Sequence, residues 1–169
     1  MKTFAEEKEY FRVTTNPLGL RWGYVDKNPQ SIDADIRSFI KVINSAPFMY
    51  SPGMSCSGSK NDHQGIFPPH NMRFGTLVER TQGFAVIRAH IIDPRWDDVS
   101  NLLLSANNSQ LIPAKNWERD DCHYNQFFPV STERDLFAYQ IFAGERGNSN
   151  QYMSTIWNEL AVQIRTLIR

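Results

Sequence analysis

Phe84-Ala85-Val86-Ile87-Arg88-Ala89-His90-Ile91-Ile92-Asp93-Pro94 reads as a strand handed directly to a helix. Apolar and β-branched side chains crowd residues 84–92, which predicts an extended segment. Asp93 can cap a helix, and Pro94 suits its first position, where a missing N–H leaves nothing unsatisfied. Trp96, Val99, Leu102 and Leu103 then supply that helix with a buried face. His90 stands at the end of the strand. It is either a site residue or a hydrogen-bonded boundary residue, and the local sequence leaves the two readings even.

Working outward, residues 72–79 form a second predicted strand, joined to the first through the Thr81-Gln82-Gly83 turn. Ile32, Ile36, Phe39, Ile40 and Ile43 lie on one helical face, with Ser31 as the expected cap and Ala46-Pro47 as the stop. Residues 48–57 resume in extended form, with Pro52-Gly53 placing a kink or bulge. Nearer the N-terminus, a short helix over residues 3–10 is followed by a strand at 18–25 and a turn at 26–31. Toward the C-terminus, strands are predicted at 110–117, 124–130 and 136–143. A helix closes the chain, striped by Tyr152, Ile156, Leu160, Ile164 and Leu167. This last helix either covers the sheet or offers a face to a second copy.

The order strand, helix, strand, strand occurs over residues 18–79 and again over 84–143. The expected class is α+β: duplicated β-α-β-β units forming a mainly antiparallel, barrel-like sheet with helices outside, plus a C-terminal helix. A chain of 169 residues is sized for one domain, residues 1–169. Its 41% hydrophobic and 21% charged content is that of a soluble globular protein, without an apolar run long enough to span a membrane. The acidic start Glu6-Glu7-Lys8-Glu9 is unlike a signal or transit peptide, so a cytoplasmic location is expected. Eighteen basic and eighteen acidic residues cancel, which excludes globally charge-driven nucleic-acid binding. A local basic face drawn from Arg12, Arg21, Lys27, Lys41, Lys60, Arg73 and Arg88 stays open.

Ser55-Cys56-Ser57-Gly58-Ser59-Lys60 concentrates hydroxyls, a thiol and a glycine just after the extended segment. One reading is a hydroxyl and N–H nest for a carboxylate or phosphate; the other is an ordinary turn capped by its own serines, which the residues alone favour. Cys56 and Cys122 read as reduced thiols, Cys56 a small buried residue rather than a nucleophile. Cys56, His63, His70, Cys122 and His123 contain no pair with the short spacing of a zinc motif, so no metal is expected. Asp26, Asp33 and Asp35 flank the start of a helix, where capping is their ordinary role. Trp22, Tyr24, Phe67 and Trp96 have rings that can stack on a base or fill a core.

Val25-Asp26-Lys27-Asn28-Pro29-Gln30-Ser31-Ile32-Asp33, Val42-Ile43-Asn44-Ser45, Ser55-Cys56-Ser57-Gly58 and Val86-Ile87-Arg88-Ala89-His90 with Asp97-Asp98-Val99 together resemble the tRNA wybutosine-synthesising methyltransferase family in order and spacing. The motifs span roughly residues 4–104. The resemblance implies a duplicated β-α-β-β barrel that transfers a methyl group from S-adenosylmethionine to a base of tRNA. It implies a cofactor site at Asp26, Ser55, Cys56, Ser57, Gly58, Ser59, Lys60 and His90. Four positions depart from the family pattern. Ser59 replaces an arginine, Gln30-Ser31 replaces Lys-Gly, and Ala89 replaces a serine, with Lys60 the nearest substitute cation.

Methyl transfer from a sulfonium relies on in-line placement more than on an acid–base pair, and no catalytic residue stands out. The resemblance therefore implies an S-adenosylmethionine-dependent methyltransferase acting on tRNA. The alternative on the same fold is a non-catalytic module that binds or sequesters a free nucleotide.

Overall fold

The computed structural model describes residues 3–13, 32–51, 55–58, 83–106, 110–113, 133, 135–143 and 150–169. In chain order these form helix α1 (Phe4–Val13), a 3-10 turn (Ala34–Ile36), α2 (Arg37–Ser45), strands β1 (Met49–Tyr50), β2 (Ser55–Cys56) and β3 (Gly83–His90), helix α3 (Pro94–Ser105), strands β4 (Gln110–Pro113) and β5 (Leu136–Ala143), and helix α4 (Asn150–Leu167). The strands expected at 18–25, 72–79 and 124–130 lie outside the described residues, as do Trp22, Tyr24 and Phe67. The chain is thus a mixed α and β fold with an antiparallel sheet and a C-terminal helix.

β3 is the centre of that sheet. It pairs antiparallel with β1, β2 and β5, and β4 extends the sheet beyond β5. Gly83 belongs to β3, not to the preceding turn. Successive side chains on a strand point to opposite faces, and β3 uses its two faces differently. Ala85, Ile87 and Ala89 join one apolar cluster with α2, α3 and α4, whereas Arg88, at an alternate position, is buried against Glu7.

The helix side is a conventional core. Phe39, Ile40 and Ile43 from α2 meet Trp157, Leu160 and Ile164 from α4, with the Phe39 and Trp157 rings 4.9 Å apart. Each fully buried side chain of this size contributes about 1.5–3 kcal/mol. Met153, Ile156, Trp157, Leu160, Ala161 and Ile164 carry the buried face of α4, while Tyr152 and Leu167 lie at its margin. α4 therefore packs on α2, the 3-10 turn and α3, and its Trp157 and Met153 reach the start of β3.

Helix boundaries follow local chemistry. Asp93 caps α3, its Oδ1 accepting from the Arg95 N–H at 3.0 Å, and Pro94 occupies the first turn as expected. Ala46 turns extended ahead of Pro47 and ends α2. At the start of α1, Thr3 and Glu6 form a reciprocal capping box: Thr3 N–H donates to Glu6 Oε2 at 2.8 Å and Glu6 N–H to Thr3 Oγ1 at 3.2 Å. Asp33 was expected to cap the helix after it, but its side chain makes no cap bond there. A tertiary partner, described below, takes that carboxylate.

The opposite side of β3 carries a buried ion pair. Arg88 Nε donates to Glu7 Oε1 at 2.5 Å and Nη2 to Glu7 Oε2 at 3.2 Å, and the Tyr50 hydroxyl donates to the same carboxylate. Arg88 is 1% exposed and Glu7 0%. The next residue, Lys8, donates through Nζ to the carbonyls of Ala46 and Met49, the latter at 3.0 Å. α1 is thereby fixed to β1, β3 and the end of α2. Burial lowers the Lys8 amine from 10.5 to about 8 despite those two acceptors.

Glu7→Ala should cost about 3–5 kcal/mol in urea unfolding, because it leaves a buried guanidinium unpaired. The double variant Glu7→Leu/Arg88→Met should lose less than Glu7→Ala alone. Lys8 gives a pH signature. Between its folded value of about 8 and its unfolded value of 10.5, the unfolded chain holds more protons at this position, so stability rises with pH in that window. Urea midpoints measured at about pH 7.5 and about pH 9.5 should show a smaller rise in Lys8→Met than in the wild type.

Candidate ligand-binding site

The residues singled out by sequence fall at opposite ends of β3. Ser55 pairs with Ala85 and Cys56 with Phe84 at its beginning, while His90 is its last residue. At the rise of an extended chain the two ends are roughly 20 Å apart. Asp26, Ser59 and Lys60 lie outside the described residues.

The Ser57 end is closed. Ser57 is 0% exposed; its N–H donates to Asp33 Oδ2 at 2.9 Å and its carbonyl accepts from Trp157 Nε1 at 2.8 Å. The carboxylate received by this loop is thus one of the chain's own. Gly58 follows at φ 77°, a left-handed conformation that favours glycine. A Cβ at Gly83 would meet the Ser57 carbonyl, with Trp157 Cζ2 at 2.7 Å and Met153 Cε at 3.0 Å. Ser57 thus ties Asp33, which precedes the 3-10 turn, to α4 beside the start of β3. The hydroxyls of Ser51 and Ser55 are buried without a hydrogen-bond partner among the described residues.

The His90 end opens into a cleft of about 550 Å³ between the first turns of α1 and α3. Its apolar lining is the buried Phe4 and Phe48 with the exposed Pro47, Ile92 and Pro94, and its polar groups are His90, Asp93, Arg95 and Glu133. The His90 ring stacks on Phe4 with centroids 5.7 Å apart, and His90 Nε2 lies 3.3 Å from Glu133 Oε2. The other carboxylate oxygen of Glu133 accepts from the Phe4 N–H at 2.8 Å, so this side chain occupies the N-terminus of α1. Asp135, at φ 62°, shapes the turn that carries Glu133 back over β3, and its carbonyl accepts from Ile91 N–H at 2.9 Å.

Arg95 forms the opposite wall. Its Nε and Nη2 donate to the two oxygens of Asp93 at 2.9 and 2.8 Å, and its Cζ lies 4.8 Å from the centroid of Phe48. The Arg95 guanidinium beside it holds the Asp93 carboxyl below its ordinary value, and Asp93 in turn raises Arg95.

Sequence reasoning reached His90 and treated Asp93 only as a cap. It missed Glu133, Phe4, Phe48 and Arg95, which converge from distant parts of the chain. The capping-box spacing of Thr3 and Glu6 was the available signal for where α1 begins, and hence for Phe4 at this edge. One candidate changes role: Arg88, named for a basic surface, is buried against Glu7, while Trp96, at 4% exposure, takes the core position expected of it rather than a stacking one. Among the described residues no helix is long and apolar enough to cross a membrane.

No family model matches the chain, and no curated protein matches it. Among solved structures, one described as the PH1069 protein from Pyrococcus horikoshii is similar at a TM-score of 0.35 and 16% identity, over 85% of this chain and 83% of that one. A likeness of that degree carries no argument about function.

Gly83→Ala should destabilise the protein by about 1–3 kcal/mol in chemical denaturation, since the new methyl must displace a backbone carbonyl.

Proposed function

We propose that the chain is an S-adenosylmethionine-dependent methyltransferase-like protein acting on a tRNA base, built on a barrel-like sheet of two β-α-β-β units and working in the cytoplasm. The observation that carries this reading is the position of His90. The residue that the family resemblance marks at the end of its strand lines a cleft with an aromatic floor and two carboxylates. The antiparallel pairing around β3, with α2 and α4 together on one face, supports the fold part of the proposal.

The residues of the cleft fit the cofactor. About 550 Å³ lies within the range of roughly 300–1,000 Å³ typical of small-molecule sites. The Phe4 ring and the Glu133 carboxylate suit a group that carries positive charge on sulfur. When bound, S-adenosylmethionine supplies an electrophilic methyl group. The chain's own task is positioning: His90 is held by Phe4 and Glu133, and the buried Phe4 and Phe48 rings give the cleft its apolar side.

The electrostatics favour this over the second reading, a sponge for a free nucleotide. A phosphate in the cleft would face both Asp93 and Glu133, with Arg95 already engaged by Asp93.

Titration calorimetry with S-adenosylmethionine and a nucleotide panel tests the proposal. The wild type should bind S-adenosylmethionine, and His90→Ala should bind it at least about tenfold more weakly, whereas Ser57→Ala should bind as the wild type does. Loss of binding in Ser57→Ala alone would move the site to the other end of β3. Heat from a nucleotide with none from S-adenosylmethionine would end the methyltransferase reading.

A further inference from the structure

His90 is fixed more firmly than the end of a strand requires. It pairs with Leu136 of β5, its N–H donates to the Phe48 carbonyl at 2.8 Å, and its carbonyl accepts from the Asp93 N–H at 3.2 Å. The ring is stacked on Phe4, and Nε2 lies 3.3 Å from Glu133 Oε2. Glu133 is itself anchored, because its other oxygen receives the Phe4 N–H at the start of α1. Asp93, the other carboxylate of the cleft, gives both oxygens to Arg95. Glu133 is therefore the one that meets the imidazole.

A neutral imidazole carries its proton on one ring nitrogen and a lone pair on the other. A lone pair on Nε2 would face a carboxylate oxygen at 3.3 Å and be repelled, whereas an N–H there is attracted. We infer that Glu133 is a positioning residue: it holds neutral His90 with its proton on Nε2, so that the Nδ1 lone pair is the acceptor the cleft offers to a ligand's N–H or O–H. No hydrogen bond engages Nδ1 among the described residues. The side chain lines the cleft and keeps 24% of its surface in solvent, so the ring stays within reach of a ligand.

The position of that proton selects the class of ligand. A ring with its proton on Nδ1 would donate, and would favour a carbonyl or phosphate oxygen. A lone pair at Nδ1 instead favours an amine, amide or ring N–H. This goes beyond the cofactor reading and needs only the geometry of the cleft. Glutamine at position 133 keeps the length of the side chain but can turn a donor toward Nε2, which removes the preference.

Nitrogen-15 NMR of the histidine-labelled full chain tests this directly, recorded in the alkaline range where the ring shifts no longer change with pH. The chain has four histidines, and the signals lost in His90→Gln assign His90. The wild type should show the Nε2–H form. Glu133→Gln, with its fold checked by circular dichroism, should lower the ratio of Nε2–H to Nδ1–H forms by at least about fivefold. Diethyl pyrocarbonate, which acylates an unprotonated ring nitrogen, should modify wild-type His90 at Nδ1. A predominant Nδ1–H form in the wild type overturns the inference, and so does an equal ratio in Glu133→Gln. A His90 that resists the reagent while the other histidines react overturns the acceptor role of Nδ1. None of these measurements uses S-adenosylmethionine, so failure here and failure of the methyltransferase reading are told apart.

Discussion

The ion pair between Glu7 and Arg88 is the contact on which the arrangement of this protein depends. An arginine in the middle of the central strand is acceptable only if its charge is met, and the carboxylate that meets it comes from a helix 81 residues away in sequence. Two charges removed from water cost several kcal/mol each, so the pair adds little net stability. Its effect is on register. A slip of β3 by one residue would turn Arg88 away from Glu7 and into the apolar face shared with α2 and α4. Tyr50, donating to the same carboxylate from β1, ties the neighbouring strand to that register as well.

Once the register is set, the two ends of β3 acquire different characters. At its beginning, small side chains let α4 approach until the Trp157 indole reaches the Ser57 carbonyl. The Ser57 loop is consumed in that contact and in the bond to Asp33. At its end, among the described residues, the first turns of α1 and α3 lie beside the sheet, and two helix N-termini cannot close over each other without burying unpaired N–H groups. Glu133 and Asp93 satisfy those turns with carboxylates, and the space between them is the cleft. The polar residues that cap the helices are thus the same ones that line the cavity.

Much of the scaffold was legible in the sequence because it rests on local rules. The α3 cap at Asp93, the Pro94 start and the buried set Trp96, Val99 and Leu103 follow from short-range chemistry and helical spacing. The stripe on α4 and the stop of α2 before Pro47 were readable for the same reason. Asp33 was misread because two partners compete for one carboxylate: helix N–H groups nearby in sequence and the Ser57 N–H 24 residues away. Local pattern shows the first partner and is blind to the second.

The sequence by itself determined where α3 starts and α2 stops, that residues 84–92 are an apolar strand, and that a histidine stands in it ahead of the α3 cap. Only the tertiary structure decided that Arg88 is a buried partner and not part of a basic surface, that Ser57 belongs to a structural clamp, and that Glu133 and Arg95 join His90 around a cavity. The physical reason is range. Hydrophobic periodicity and capping act over a few residues, whereas the pairing of charges depends on which chain segments the fold brings into contact, and that is fixed only when the whole core is packed.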